Sequence, residues 1–352
     1  MGRHALLRTG PVTVAVVIPC RNEQVHIGAL LNAIAGQTRV PDEIVIGDDG
    51  SRDETRARIT AWGEAHEALA VRIRVIDGPG RGPGPAMNAG IRVTQADIIV
   101  RLDGHCVPEV HYIERSCLAL DRREVGVVGG VWRVVPGART QVAAAIAAVV
   151  SHPAGSGGVA YRHADRRGPQ QELVDTVPFG TFRRTLWEQL HGFDEALRAN
   201  EDYDLNYRVR REGLLVLLDR GVVATYSARP TLRLLWRQYQ RYGYWKAHML
   251  RKDPRALTFR QIPPALLLPW LVVSLGGWIG AMVWQAPAPV ALWSRVALVA
   301  YPSLVLGMGL HVGLTRRVLP LSAVAALATA HLAWSAGFWR GAFSSLSGDT
   351  GR

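Results

Sequence analysis

A chain of 352 residues can bury a sizeable core, as one large domain with an appendage or as two modest ones. Lys and Arg outnumber Asp and Glu by 41 to 29, a formal net charge of +12. That charge suits nucleic acid, a phosphate-rich substrate or an anionic membrane surface, and speaks to partners rather than fold. The cysteines Cys20, Cys106 and Cys117 form no C-x-x-C pair, which argues against a disulfide or zinc scaffold and fits a reducing compartment.

In chain order, residues 12–18 are a short apolar run ending at Pro19, too short and lacking the small-residue cleavage site of a signal peptide. They read as a buried strand. A helix is expected over 25–36, a strand over 43–46, a helix over 55–66, and strands over 71–76 and 98–102. Residues 78–85 read as a mobile loop rather than a phosphate cradle, because the G-K-[ST] ending is missing and three prolines remove amide donors. Strands alternating with helices imply an α/β domain with a mixed, mainly parallel sheet, whose ligands bind beyond the carboxyl ends of the strands. Polar clusters stand at three such ends: Cys20-Arg21-Asn22-Glu23, Asp48-Asp49-Gly50-Ser51 and Asp103-Gly104-His105. A carboxylate at the second can accept a hydrogen bond from a base imide or a ribose hydroxyl; Ser51 or Asp53 equally suits an Asx turn and the cap of the next helix. Asp103 and His105, two residues apart, can be turned towards one site. Further on, Glu201, Asp202 and Asp204 form the acidic first turn of a helix expected over 203–212.

The C-terminal third changes character. Residues 232–250 mix Arg233, Arg237, Arg241 and Lys246 with Trp236, Tyr239, Tyr242, Tyr244 and Trp245, the make-up of a helix lying among lipid headgroups. No Asp, Glu, Lys or Arg interrupts the gaps Arg260 to Arg295, Arg295 to Arg316 and Arg317 to Arg340, which yields spans over 262–284, 296–314 and 318–339, each about 20 residues and long enough to cross a bilayer core. A tight uncharged turn is expected over 285–289. Arg251, Lys252, Arg255, Arg260, Arg316 and Arg317 flank the spans on what the positive-inside rule makes the cytoplasmic side. The expected layout is a cytoplasmic domain over 1–230, an interfacial helix and linker over 231–261, three transmembrane helices over 262–340 and a tail over 341–352, in a plasma (inner) membrane.

Six segments in order carry a family resemblance: Val-Ile-Pro-Cys-Arg-Asn-Glu (17–23), Asp-Asp-Gly-Ser-Arg-Asp-Glu-Thr (48–55), Met-Asn-Ala-Gly-Ile (87–91), Asp-Gly-His (103–105), Gly-Phe-Asp-Glu (192–195) and Glu-Asp (201–202). Over roughly residues 12–250 the chain resembles family 2 glycosyltransferases, and most of all the branch containing the succinoglycan-biosynthesis transferases, which also carry C-terminal spans. The resemblance implies a nucleotide-sugar-binding domain of the glycosyltransferase-A type and an inverting hexosyltransferase. Asp49 would contact a uracil-type base, with Pro19, Asn22, Glu23 and Asp48 around the nucleoside. Asn88 would lie near the nucleotide sugar or cap a helix. Asp103-Gly104-His105 stands where the family usually has Asp-x-Asp. A divalent ion there would offset the charge of the leaving diphosphate, and imidazole leans the choice between Mn2+ and Mg2+ towards manganese.

Asp202 matches the family's Glu-Asp dyad and would be the general base, with Glu201 on the acceptor side. Pro178-Phe179-Gly180-Thr181 and Gly192-Phe193 resemble its acceptor-side segment. Gln238-Tyr239-Gln240-Arg241-Tyr242 resembles the Q-x-x-R-W element of membrane polysaccharide synthases; Arg241 would meet the donor diphosphate, Gln238 and Tyr242 the acceptor sugar, and a purely interfacial anchor is equally open. The implied partners are a nucleotide-diphosphate sugar, a lipid-linked (polyprenyl) glycan and the membrane, with no nucleic acid. The competing readings are transfer to a polyprenyl monophosphate, which needs no base, and an inactive nucleotide-binding membrane adaptor.

Overall fold

The computed structural model describes residues 11–69, 71–164, 168–284 and 287–344. The first half alternates as expected: β1 (Val14–Cys20), α1 (Ile27–Ala35), β2 (Glu43–Asp48), α2 (Thr55–Ala65), β3 (Arg72–Asp77), α3 (Pro83–Val93), β4 (Ile98–Arg101), β5 (Cys106–Pro108) and α4 (Tyr112–Leu120). After it come β6 (Val125–Val135), α5 (Gln141–Val150), α6 (Pro153–Ser156), β7 (Gln171–Leu173), β8 (Thr181–Arg183), α7 (Arg184–Gln189), α8 (Glu201–Arg211) and β9 (Leu215–Ser227). Four long helices finish the chain: α9 (Leu232–Lys252), α10 (Ile262–Val283), α11 (Ala288–Thr315) and α12 (Pro320–Phe343).

The strands form one mixed sheet in the order β3-β2-β1-β4-β8-β6-β9-β5, with β7 on β9. β1, β2, β3 and β4 are mutually parallel, whereas β8 runs antiparallel to both β4 and β6. Every residue of β1 is buried, because both faces of the sheet are covered. Val14, Val16 and Ile18 face the layer of α1, α2 and α4, while Ala15 and Val17 face α3, α7 and α8. Register aligns Cys20 with Asp48, so β1 and β2 end together, and Val17 with Arg101, which brings the end of β4 alongside.

The Gly- and Pro-rich loop is shorter than expected. Pro83 opens α3, since a proline at the first helical position sacrifices only an amide that has no helical partner, so residues 83–85 are helix and the loop is 78–82.

Helices α10, α11 and α12 are long and apolar enough to cross a membrane. Val272 and Val273 of α10 are 67% and 73% exposed, which water would penalise and lipid would not. The second candidate span begins earlier than the charge gaps indicate: α11 starts at Ala288 and takes Arg295 into its length. Residues 285 and 286 of the expected turn lie outside the described residues, as do 345–352 of the expected tail.

The amphipathic helix α9 does more than rest at an interface. Its Gly243 abuts the backbone of Trp334, and Gly337 and Gly341 of α12 abut the backbones of Gln240 and Tyr244, where any Cβ would collide. Small residues four apart let two helix backbones approach closely. The apolar helix α5, with no counterpart in the sequence reading, joins α9, α11 and α12 in a third core cluster that includes Ile146, Val149, Leu235, Tyr239 and Leu327.

Candidate active site

The loop after β1 is laced to the loop after β2. Asn22, at φ 56°, donates its amide to Ser51 Oγ at 2.9 Å and accepts from the Arg52 amide at 2.8 Å. Glu23 N donates to Thr55 Oγ1 at 2.8 Å. Asp48 accepts from Ser51 N at 2.9 Å and pairs with Arg56; burial pushes its carboxyl up, but these bonds win and hold it below the usual carboxylate range. Asp49 accepts the amides of Arg81 at 3.1 Å and Gly82 at 2.7 Å, so it also holds the 78–82 loop against the end of β2. Gly82 reaches that position at φ 112°, backbone space that favours glycine.

At the end of β4, Arg101 is 3% exposed and donates to Asp103 Oδ1 at 2.9 Å and to Glu201 Oε1 at 2.7 Å. Glu201 and Asp202 open α8, whose acidic first turn faces the positive end of the helix dipole and whose last turn carries Arg208, Arg210 and Arg211. The turn is held by Asn200, at φ 65°, whose amide donates to the Tyr242 carbonyl at 3.0 Å and so ties α8 to α9. Burial, then the negative charge of Glu201, pushes the Asp202 carboxyl up to about 6, against the pull of Arg101. A carboxylate so placed ionises near neutral pH and can accept a proton there.

His105 Nδ1 lies 3.0 Å from Glu23 Oε1. A proton on Nδ1 makes that bond and leaves Nε2 bare, the arrangement of a metal-ligating histidine oriented by a carboxylate. Gly104 between Asp103 and His105 has no room for a side chain, because a Cβ would lie 2.8 Å from Glu23 Cγ. Among the described residues no three His, Cys, Asp or Glu side chains cluster as a complete metal cage. A pair comprising one carboxylate and one imidazole fits an ion that takes its remaining ligands from substrate phosphates and water.

Two cavities meet at this point. The larger, about 1200 Å³, contains Pro19, Asn22, Glu23 and Asp49 on one side and Arg237, Arg241, Tyr244 and Arg340 on the other. The smaller, about 230 Å³, contains Glu201, Asp202, Tyr226, Gln238 and Tyr242. Pro83, Asp103, His105, Arg198, Arg229 and Arg241 belong to both. Arg21, Arg198, Arg229, Arg237 and Arg241 line the larger cavity and, among the described residues, make no ion pair there, an electrostatic basin for a polyanion. The smaller cavity is aromatic: Trp132 stacks on Tyr226 at 4.1 Å, with Tyr161 edge-on at 4.9 Å and Phe179 at 5.3 Å. Gln238 Nε2 donates to the hydroxyls of Tyr226 at 2.8 Å and Tyr242 at 3.0 Å, fixing both rings.

Three expected site residues are placed differently from the sequence reading. Asn88 lies mid-helix in α3, neither at a cap nor on either cavity. Its amide group is fully used, donating to the Phe193 carbonyl and Glu195 and accepting from Phe193 N and Trp187 Nε1. It clamps the Gly192-Phe193 turn beneath the site. Asp48 is turned away from the cavity towards Arg56, and Glu201, although it lines the smaller cavity, commits Oε1 to Arg101 and so braces the cluster. The residues that sequence reasoning missed are Arg101, Trp132, Tyr161, Arg162, Arg198, Tyr226, Arg229 and Trp334. They come from distant segments, and only Arg101, two residues before Asp103, and Arg198, between the 192–195 and 201–202 segments, stand near a recognised motif.

The model of glycosyl transferase family 2 matches residues 15–190, which contain all three strand-end clusters. The chain belongs to this family. The succinoglycan biosynthesis protein ExoA of Rhizobium meliloti (strain 1021) is 30% identical over 333 residues, covering 92% of this chain and 93% of that protein. This family 2 glycosyltransferase is also 24% identical, over 68% of its length and 74% of the other's, to a Methanococcus voltae dolichyl N-acetyl-alpha-D-glucosaminyl phosphate 3-beta-D-2,3-diacetamido-2,3-dideoxy-beta-D-glucuronosyltransferase. In fold it is similar to a mannosyltransferase from Pyrobaculum calidifontis in complex with GDP-Man and Mn2+, with a TM-score of 0.57 and 20% identity over 92% of this chain and 86% of that one. Such a likeness shows the glycosyltransferase-A fold, and the relatives place the family in polysaccharide synthesis.

Proposed function

We propose that the enzyme transfers a sugar, with inversion, from a nucleotide-diphosphate sugar of the UDP type to a glycan carried on a polyprenyl lipid, in exopolysaccharide or cell-envelope polysaccharide synthesis. The observation that carries this reading is the wall common to the two cavities: Asp103, His105 and Arg241 separate a nucleotide-sized space from an aromatic one that holds Asp202. The nucleoside belongs against Pro19, Asn22, Glu23 and Asp49, and the diphosphate among the unpaired arginines, Arg241 foremost. Asp103 and His105 would hold a divalent ion, Mn2+ or Mg2+, which would supply positive charge against the departing diphosphate. That the fold neighbour was solved with Mn2+ supports this.

Asp202 takes the proton of the acceptor hydroxyl as its oxygen attacks the anomeric carbon. The bond to the diphosphate breaks on the opposite face, so an alpha-linked donor gives a beta linkage. Gln238 holds Tyr242 and Tyr226 as a surface for the acceptor sugar. The lipid carrier is supported by Trp334 of a candidate span, which lines the acceptor cavity, and by the relative whose name specifies a dolichyl phosphate sugar. The basic flanks support a catalytic domain on the cytoplasmic side of the plasma membrane.

The test is transfer by the purified protein in nanodiscs, supplied with Mn2+ and a panel of nucleotide sugars, with lipid-linked products read by mass spectrometry. A lipid-linked glycan longer by one sugar supports the proposal. Neither transfer nor hydrolysis with any donor would make the protein a nucleotide-binding adaptor.

A further inference from the structure

Arg162 is 7% exposed and lines the acceptor cavity. Its guanidinium packs over Trp132 at 5.3 Å and Tyr161 at 5.7 Å, and Nη1 donates to the Tyr239 hydroxyl at 3.1 Å. Among the described residues Nε has no partner and no carboxylate pairs with this side chain. In the same wall Arg101 has Asp103 and Glu201, and Arg260 has Asp175, whereas Arg198, Arg229 and Arg241 have no carboxylate partner among the described residues but, unlike Arg162, are not buried. A buried cation without a counter-ion is costly, and rings and a hydroxyl offset that cost only in part. The missing partner is an anion, and the space beside Arg162 is where the acceptor must lie.

We propose that Arg162 binds an anionic group of the acceptor, a phosphate or carboxylate, close to the sugar whose hydroxyl faces Asp202. The inference rests on the proposed transfer reaction and adds what the acceptor must carry. A cavity of about 230 Å³ contains both Arg162 and Asp202, so the anion and the reacting hydroxyl belong to one small unit. Two sources share this chemistry: the phosphate that ties the sugar to its lipid, and a carboxylate on the sugar itself. If the source is the lipid phosphate, the reaction that supplies this substrate is transfer of a sugar or sugar phosphate to a lipid phosphate.

The experiment compares three synthetic acceptors with the donor that the screen identifies: a neutral decyl hexoside, the same hexose on decyl diphosphate, and the matching decyl hexuronide. Wild type should favour one anionic acceptor over the neutral one in kcat/KM by on the order of 10- to 100-fold, the worth of a hydrogen bond to a charged group. Preference for the diphosphate identifies the lipid phosphate, and preference for the hexuronide the sugar carboxylate. Arg162→Gln should abolish that preference, with a rise in KM for the favoured anionic acceptor that exceeds any loss on the neutral one, and Arg162→Lys should restore part of it. A second measurement is independent of folding in the variants: decyl phosphate should inhibit wild type competitively against the neutral acceptor. Equal use of all three acceptors by wild type, or equal loss on all three in a folded Arg162→Gln, overturns the proposal. Sugar-nucleotide hydrolysis with transfer to none of them would overturn it too, leaving the donor site standing, whereas absence of hydrolysis as well would remove the transferase reading itself.

Discussion

Arg101 Nη2 lies 2.7 Å from Glu201 Oε1, and both side chains are buried. This contact joins the last residue of β4 to the first residue of α8, and through Arg101 Nε it also reaches Asp103. Arg101→Gln would leave two carboxylates without their cation beside Asp202. Loss of one member of a buried ion pair costs about 3–5 kcal/mol. The expected outcome is a clear fall in unfolding midpoint together with loss of transfer. An unchanged midpoint in a detergent melt would show that the cluster does not need its arginine.

Asp202→Asn should lower transfer by about 10²- to 10⁴-fold while sugar-nucleotide binding stays near wild type. A carboxyl raised to about 6 in the folded protein must lose its proton to act, so wild-type kcat/KM should fall as pH drops through about 6. Stability runs the other way. A folded-state pKa above the unfolded one means that the native state binds the proton more tightly, so this group favours folding at low pH and that contribution fades as pH rises through the folded value. Asp202→Asn should therefore be no less stable than wild type at pH 7. Transfer near the wild-type rate would instead point to a phosphate acceptor that needs no base.

His105→Ala and Glu23→Gln should both weaken metal affinity, the first by removing a proposed ligand and the second by freeing the ring that Glu23 orients. Loss of such an orienting partner typically costs 10- to 100-fold in metal affinity. Raising Mn2+ should recover much of the Glu23→Gln activity. Manganese titration of sugar-nucleotide binding is the readout, and wild-type metal dependence in His105→Ala would leave Asp103 and the donor phosphates as the sole ligands.

For topology, single cysteines at Arg316 and Arg317, between α11 and α12, should react only with membrane-permeant reagents in intact cells, and one at Pro289 should react with impermeant ones. The native cysteines are buried and give a quiet background. Impermeant labelling at Arg316 reverses the proposed orientation.

The parallel half of the sheet was readable because β1, β2 and β4 are apolar runs that end in short polar clusters, and those ends are where Asp49, Asp103 and His105 stand. The second half was not. β6 and β9 carry glycines and bulges that break simple alternation, and β8 has only three residues. The smaller cavity was harder still, since Trp132, Arg162 and Tyr226 meet only through the pairing of β6 with β9 and the packing of α9. Asp48 and Asn88 carried the right motifs yet serve the framework, because a pattern of residue types does not show which polar atoms the fold has already used.

The glycine contacts between α9 and α12 make the domain boundary a matter of sequence only. Trp334 and Arg340, both on α12, line the smaller and the larger cavity respectively. A fragment ending before α10 would keep every acid at the strand ends and still lack part of the wall of both cavities. If α12 spans a bilayer as its length and composition allow, whatever a detergent or a change of lipid thickness does to it is done to both cavities as well, and kinetic constants would then depend on the surrounding lipid.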